Sequence, residues 1–236
     1  MTLIGSAEQL AAYLAEAQEA RRTEVRFELT AELSARLTDQ QLTEALVTGL
    51  PMAQGVTRRI VRSRGMGTQV SLRLRYRDGI RLAELAAEDP ALLTDLEREA
   101  LDKARGIAAE AMQNSSDEER FASVHAWLCG HVTYVHTEPG RKGYERLVSA
   151  VGALLDGQAN CQGFADALYL LCRLCGIAAA YRCGRGEKLL HVWNAVRLNG
   201  EWREADASKA ARIDNLQTNF PPMKKTTTQD VKNVLY

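Results

Sequence analysis

The dipeptide Asn199-Gly200 constrains this chain more tightly than any other feature. It follows an alternating, β-rich run, Leu-Leu-His-Val-Trp-Asn-Ala-Val-Arg-Leu over 189–198, and precedes Glu201-Trp-Arg-Glu-Ala-Asp206. Asn-Gly between two such runs is the strongest short signal for a hairpin. A two-residue turn pairs Leu198 with Glu201, and pairing continued from there sets Trp193 opposite Asp206 and His191 opposite Ser208. Because strand side chains alternate, His191, Trp193, Asp206 and Ser208 are expected on one face. His191 and Asp206 become diagonal neighbours about 7–8 Å apart at the backbone, a gap that an imidazole and a carboxylate bridge. Glu204 shares the face but lies about 13 Å or more from His191 by strand rise, so distance selects Asp206.

A second constraint lies just upstream, in Gly157-Gln-Ala-Asn-Cys161-Gln-Gly-Phe-Ala-Asp followed by Ala167-Leu-Tyr-Leu-Leu-Cys-Arg-Leu-Cys-Gly176. Phe164, Leu168, Leu171 and Cys175 recur at helical spacing, and Gly176 is placed to end the helix. Asn160 is a good N-cap, which puts Cys161 in the first turn. There the sulfur meets unpaired backbone N–H groups and the positive end of the helix dipole, conditions that favour thiolate. A thiol at a helix start, with a histidine and an aspartate side by side on a hairpin, has the parts of a thiol acyl-transfer site. Cys161 would attack a carbonyl, His191 would move the proton, and Asp206 would hold the imidazole in one tautomer.

The wording around these residues resembles a known family. Gln158-Ala-Asn-Cys-Gln-Gly-Phe-Ala-Asp-Ala-Leu, Cys175-Gly-Ile177, His191-Val-Trp-Asn-Ala-Val and Asn199-Gly-Glu-Trp-Arg-Glu-Ala-Asp206 are similar to the core blocks of the transglutaminase-like superfamily, bacterial members included. The resemblance covers about residues 120–210, less than half the chain. It implies an α+β, papain-like fold in which the Cys helix packs on an antiparallel sheet carrying His and Asp. It also implies the nucleophile, base and orienting positions for Cys161, His191 and Asp206, and chemistry from peptide hydrolysis to glutamine–lysine cross-linking on a peptide or protein substrate. Hydrolysis is the favoured expectation, because no amine-binding site is identifiable. The alternative is a binding or assembly module that keeps the fold without turnover, as in superfamily members that have lost a triad residue; here all three positions are filled. For the oxyanion, the backbone N–H of Cys161 is the natural first donor, with Gln158 and then Trp127 as side-chain candidates.

Composition excludes several classes. At 236 residues, with 46% hydrophobic and 25% charged residues, the chain has material for one large domain or two small ones. Thirty basic and thirty acidic residues cancel, so no global field points to nucleic acid or to a membrane surface. No apolar run approaches the roughly 20 residues of a membrane span, and the N-terminus has no charged leader or apolar h-region. Five cysteines in no disulfide-scaffold spacing favour reduced thiols and a cytoplasmic setting. A leader trimmed from the chain would instead make the setting secreted or envelope-associated. No acidic run resembles a calcium loop. Cys172 and Cys175 have CxxC spacing at the far end of a helix, and no second pair completes a zinc site, so core packing is the better reading. His125, His131 and His136 do not share a helical face. No cofactor or metal is expected.

Elsewhere the pattern predicts a helix over 6–22 capped by Ser6, a strand over 24–29, and a helix from Thr38 or Asp39 stopped by Gly49 and Pro51. Strands are predicted over 56–63 and 69–76. This α-β-α-β-β region forms a small N-terminal α/β layer or domain over 1–90, with the Asp89-Pro90 breaker as its boundary and the catalytic core over 91–236. Arg58, Arg59, Arg62, Arg64, Arg73, Arg75 and Arg77 form a basic ribbon. It reads either as a docking surface for an anionic partner or as a solvated sheet face; the alternation with Leu72, Leu74 and Tyr76 favours the latter. Helices follow over 92–112 and 121–132, with Asn114-Ser-Ser-Asp117 as loop and cap. Strand 178–183 precedes a loop at Gly184-Arg-Gly186 bordering the cleft, and the tail from Ile213 is long enough to cross it.

Overall fold

The computed structural model describes residues 1–62, 67–185 and 190–213. The chain forms two units, Met1–Tyr76 and a second that begins at Arg77.

In the first unit the order is β1 (Thr2–Ile4), α1 (Ala7–Glu19), β2 (Glu24–Leu29), α2 (Ala31–Arg36), α3 (Asp39–Thr48), β3 (Ala53–Arg62) and β4 (Thr68–Tyr76). Local chemistry sets the helix starts: Ser6 accepts from the Gln9 N–H, and Thr38 forms a reciprocal capping box with Gln41. The sheet order is β1-β2-β4-β3, with β1 parallel to β2 and the other pairs antiparallel. Leu10 and Leu14 of α1 and Leu42 and Leu46 of α3 are buried in one cluster with Phe27, Leu29, Val70 and Leu72 of the sheet. Two elements, β1 and α2, exceed the sequence expectation. β1 has only three residues, too few for periodicity to register, and exists because β2 offers it an edge.

The arginine ribbon divides between the faces of this sheet. Residues paired across antiparallel strands share a face, and Arg58 pairs with buried Leu72 whereas Arg73 pairs with Thr57. Arg62 donates to Asp39 at 2.8 Å and to the Ser34 and Leu37 carbonyls at 3.0 and 2.9 Å. Arg73 lies 3.4 Å from Glu24. Arg77 is not part of the ribbon at all: it is buried and belongs to the second unit. Arg64 lies outside the described residues.

The second unit runs α4 (Asp78–Ala87), a 3₁₀ turn at Pro90–Leu92, α5 (Asp95–Ala111), α6 (Asp117–His131), β5 (Thr133–Tyr134), α7 (Tyr144–Leu147), a π turn at Gly152–Asp156, β6 (Gln158–Ala159), α8 (Cys161–Leu174), β7 (Ala179–Arg185), β8 (Leu190–Leu198), β9 (Glu201–Ala205) and α9 (Ala207–Ile213). Thr94 with Glu97 and Ser116 with Glu119 form capping boxes for α5 and α6, so the α6 cap falls one residue before Asp117. The three-stranded sheet is antiparallel in the order β7-β8-β9. α8 packs against α4, α5, α6 and β8, and every residue from Gly163 to Cys172 is buried. Covered on all sides, it is apolar nearly all round.

The division falls at Tyr76/Arg77 and not at Asp89-Pro90, because α4 packs on α8 and joins its core through Leu82. A breaker marks where a helix ends; which core the helix feeds is a matter of packing. The Gly184-Arg-Gly186 loop is also displaced, since Gly184 and Arg185 extend β7 to pair with His191 and Leu190. Gly186 and the tail from residue 214 lie outside the described residues.

Candidate active site

Cys161 is the first residue of α8, and Asn160 caps it. The Asn160 Oδ1 accepts from the N–H groups of Gln162 at 2.9 Å and Gly163 at 3.3 Å. These bonds leave the Cys161 N–H unclaimed among the described residues, which suits it to an oxyanion. The turn is anchored from below: Asn160 N–H donates to the Leu147 carbonyl at 2.9 Å. Gly163 permits the approach, because a Cβ there would stand 2.6 Å from the Leu147 carbonyl oxygen and 2.9 Å from the Ala159 Cβ. Gly163→Ala is therefore expected to cost about 1–3 kcal/mol by overpacking. That lowers the unfolding temperature by several degrees, at about 2–4 °C per kcal/mol for a chain of this size. A thermal melt unchanged from the native protein would show that the Leu147 segment yields freely.

His191 and Asp206 come from the hairpin. The register pairs Leu198 with Glu201, Val196 with Arg203 and Asn194 with Ala205. Asn199 and Gly200 take φ of 52° and 82°, the two positive values that a type I′ turn needs. The ladder ends at Ala205, one residue short of Asp206, and the chain then turns into α9. His191 is thus not paired with Ser208, which the extrapolated register had placed opposite it. Ser208 instead donates its hydroxyl to Asp206 Oδ1 at 2.8 Å, and the Lys209 N–H donates to the same oxygen at 3.0 Å. Asp206 caps α9 with one oxygen and holds His191 with the other: Nε2 to Oδ2 is 2.7 Å. Glu204 is committed elsewhere, accepting from the Trp193 indole with Arg182 at 3.8 Å.

The Cys161 thiol and the His191 imidazole act on each other, and the directions of their shifts agree. Burial pushes the Cys161 thiol up, but the bond to His191, the Val192 backbone N–H and the charges of His191 and Arg77 outweigh it and bring it below its ordinary value. Burial disfavours the His191 imidazolium too, yet the bonds to Asp206 and Cys161 raise it to about 9. Asp206 is lowered despite burial, by His191, Ser208 and the Lys209 N–H. All three directions favour the ionised forms: thiolate, imidazolium and carboxylate. Nε2 is taken by Asp206, so Nδ1 is the ring nitrogen left for the sulfur.

The other candidates lie on separate elements. Gln158 is exposed on β6, three residues ahead of Cys161, where β6 pairs with β5. Trp127 stacks on His131 at 4.6 Å, with the Lys103 ammonium 5.6 Å from its ring centre. His125 is buried against Phe121, and His136 is exposed. Cys172 and Cys175 are buried free thiols in the core, and burial raises both. The sequence reading missed the polar residues under α8, chiefly Arg77, Asp166 and Tyr181. Their one signal was a carboxylate, Asp166, inside the otherwise apolar body of the Cys helix.

A thiol on a helix start and a His–Asp pair on the adjoining sheet define a transglutaminase-like α+β fold. Residues 103–207 match the sequence model of the transglutaminase-like superfamily. The chain is 27% identical to the kyphoscoliosis peptidase of Mus musculus over 126 residues, which is 48% of this chain and 19% of that protein. It therefore spans about a fifth of that relative's length. Among solved structures it is similar to a TGase, with 14% identity, 94% of this chain and 62% of the other covered, and a TM-score of 0.46. It is also similar to the periplasmic domain of TgpA from Pseudomonas aeruginosa, with 18% identity, 64% and 58% covered, and a TM-score of 0.41.

Proposed function

We propose that the second unit is a cysteine-dependent acyl-transfer enzyme that cleaves amide bonds of peptides or proteins, with hydrolysis as its main outcome. The observation that carries this is the 2.7 Å bond from His191 Nε2 to Asp206 Oδ2, beside a helix-start thiol that the His191 charge lowers. The match of residues 103–207 to the superfamily model, and the likeness to a relative named a peptidase, support it. The Cys161 thiolate adds to the substrate carbonyl, and the oxyanion meets the Cys161 N–H, with Gln158 as the side-chain donor. Imidazolium His191 protonates the departing amine as the C–N bond breaks, leaving a thioester. His191 then takes a proton from water as it attacks, the acid leaves, and the thiolate returns with the proton on His191. An amine in place of water would give cross-linking through the same thioester.

Incubation with p-nitrophenyl acetate tests this. The expected result is a burst of p-nitrophenolate, with one acetyl group found on the Cys161 peptide by mass spectrometry and absent from Cys161→Ala. Labelling of other thiols with Cys161 untouched would overturn the proposal in favour of a binding module.

A further inference from the structure

A buried polar cluster adjoins Cys161 and takes no part in the steps above. Arg77, just ahead of α4, is 3% exposed, and Asp166 of α8 is 0% exposed. The Arg77 Nη1 donates to Gln162 Oε1 at 3.3 Å and stands 4.0 Å from Asp166 Oδ1, while its guanidinium carbon is 5.2 Å from the Tyr181 ring centre. Tyr181 in turn stacks on Tyr169 at 4.7 Å. Among the described residues, neither Asp166 carboxyl oxygen nor the Tyr181 hydroxyl has a hydrogen-bond partner, although the hydroxyl is close enough to act on the carboxyl. Gly79 allows this closeness: a Cβ there would lie 2.5 Å from the Tyr181 hydroxyl and 2.4 Å from the Asp166 carbonyl oxygen.

Arg77 meets Asp166 at 4.0 Å, longer than a charge-assisted bond of about 2.7–2.9 Å, and gives a hydrogen bond to Gln162, the residue beside the nucleophile. Gln162 also donates to the Tyr144 hydroxyl at 3.4 Å, so the first turn of α8 is gripped through this one side chain.

Resting on the acyl-transfer reading above, we propose that Arg77 is a positioning residue for the nucleophile: it holds the first turn of α8 through Gln162 and supplies a fixed, buried positive charge that keeps Cys161 ionised. Asp166 sets how much of that charge is felt. Burial, opposed by Arg77 and reinforced by the Asp78 charge, raises its carboxyl to about 7. As the pH falls through that value Asp166 becomes neutral, Arg77 is less compensated, and the thiolate persists further into acid. The other titratable groups acting on the cluster are Asp78, Tyr169, Tyr181 and Cys183, and His191 acts on Cys161 beside it.

The test is the rate of Cys161 alkylation by iodoacetamide between about pH 4 and pH 9, read as the midpoint of its rise. Arg77→Gln is expected to raise the midpoint by about half a pH unit, with about a threefold loss of rate on the rising limb. Arg77→Lys keeps the charge and should restore most of the shift, which a packing role alone would not do. Asp166→Asn should leave the midpoint in place or lower it. If Arg77→Gln fails to fold, the double variant Arg77→Gln/Asp166→Asn, which leaves no unpaired buried charge, decides the matter by showing the same rise. A native midpoint in a folded variant lacking the arginine would overturn the inference and leave the acyl-transfer reading standing. Native Cys161 that labels only above about pH 8.5 would sink that reading instead.

Discussion

His191→Ala should slow alkylation of Cys161 at pH 6 several-fold. Two effects oppose each other. Without the imidazolium the Cys161 thiol rises towards its ordinary value, so less of it is ionised at pH 6. The more basic thiolate is also the better nucleophile, but with a Brønsted slope of about 0.4–0.5 a tenfold loss of thiolate is offset only about threefold. The ionised fraction wins. The pH profile gives the sign independently: in the native protein the imidazolium is lost as pH rises through about 9, so the two proteins should converge above it. Equal rates at pH 6 would mean that the His191 imidazole does not govern the thiol.

Asp206→Asn should cut steady-state turnover of p-nitrophenyl acetate by about 10²–10⁴ while the protein stays folded. Asp206 has two tasks on two oxygens: Oδ1 caps α9 through Ser208 and the Lys209 N–H, and Oδ2 holds Nε2 of His191 at 2.7 Å. Asparagine caps a helix about as well as aspartate, so the first task survives. The neutral amide cannot stabilise the imidazolium, so His191 falls from about 9 towards its ordinary value and Cys161 rises. Asp206→Ala loses both tasks and should add about 1 kcal/mol of destabilisation for the missing cap. Comparing melts and rates of the two variants separates cap from chemistry. Full turnover in a folded Asp206→Asn protein would remove the carboxylate from the mechanism.

Much of the site was legible because short-range chemistry positions it. Asn160 caps α8 whatever packs around it, and Asn199-Gly200 sets the hairpin register by backbone conformation alone. From those two facts, alternation and strand rise brought His191 beside Asp206 and set Glu204 aside. The extrapolation failed one residue later. Ser208 lies in α9 and not opposite His191, because the strand gives way to that helix, and Asp206, by capping it, is itself what starts the change. A register argument cannot see where a ladder stops.

The sequence by itself determined the local devices: the caps that start the helices, the turn that sets the hairpin, and the alternation that sorts its faces. Only the tertiary structure decided that α4 joins the core of α8, that the arginines of β3 and β4 part between two faces, and that Arg77 leaves them to sit under the Cys helix. The physical reason is reach. Caps and turns are satisfied within a few residues, whereas Arg77 meets Gln162 across 85 positions of chain. Its burial is set by the packing of α4 on α8, which no local pattern encodes.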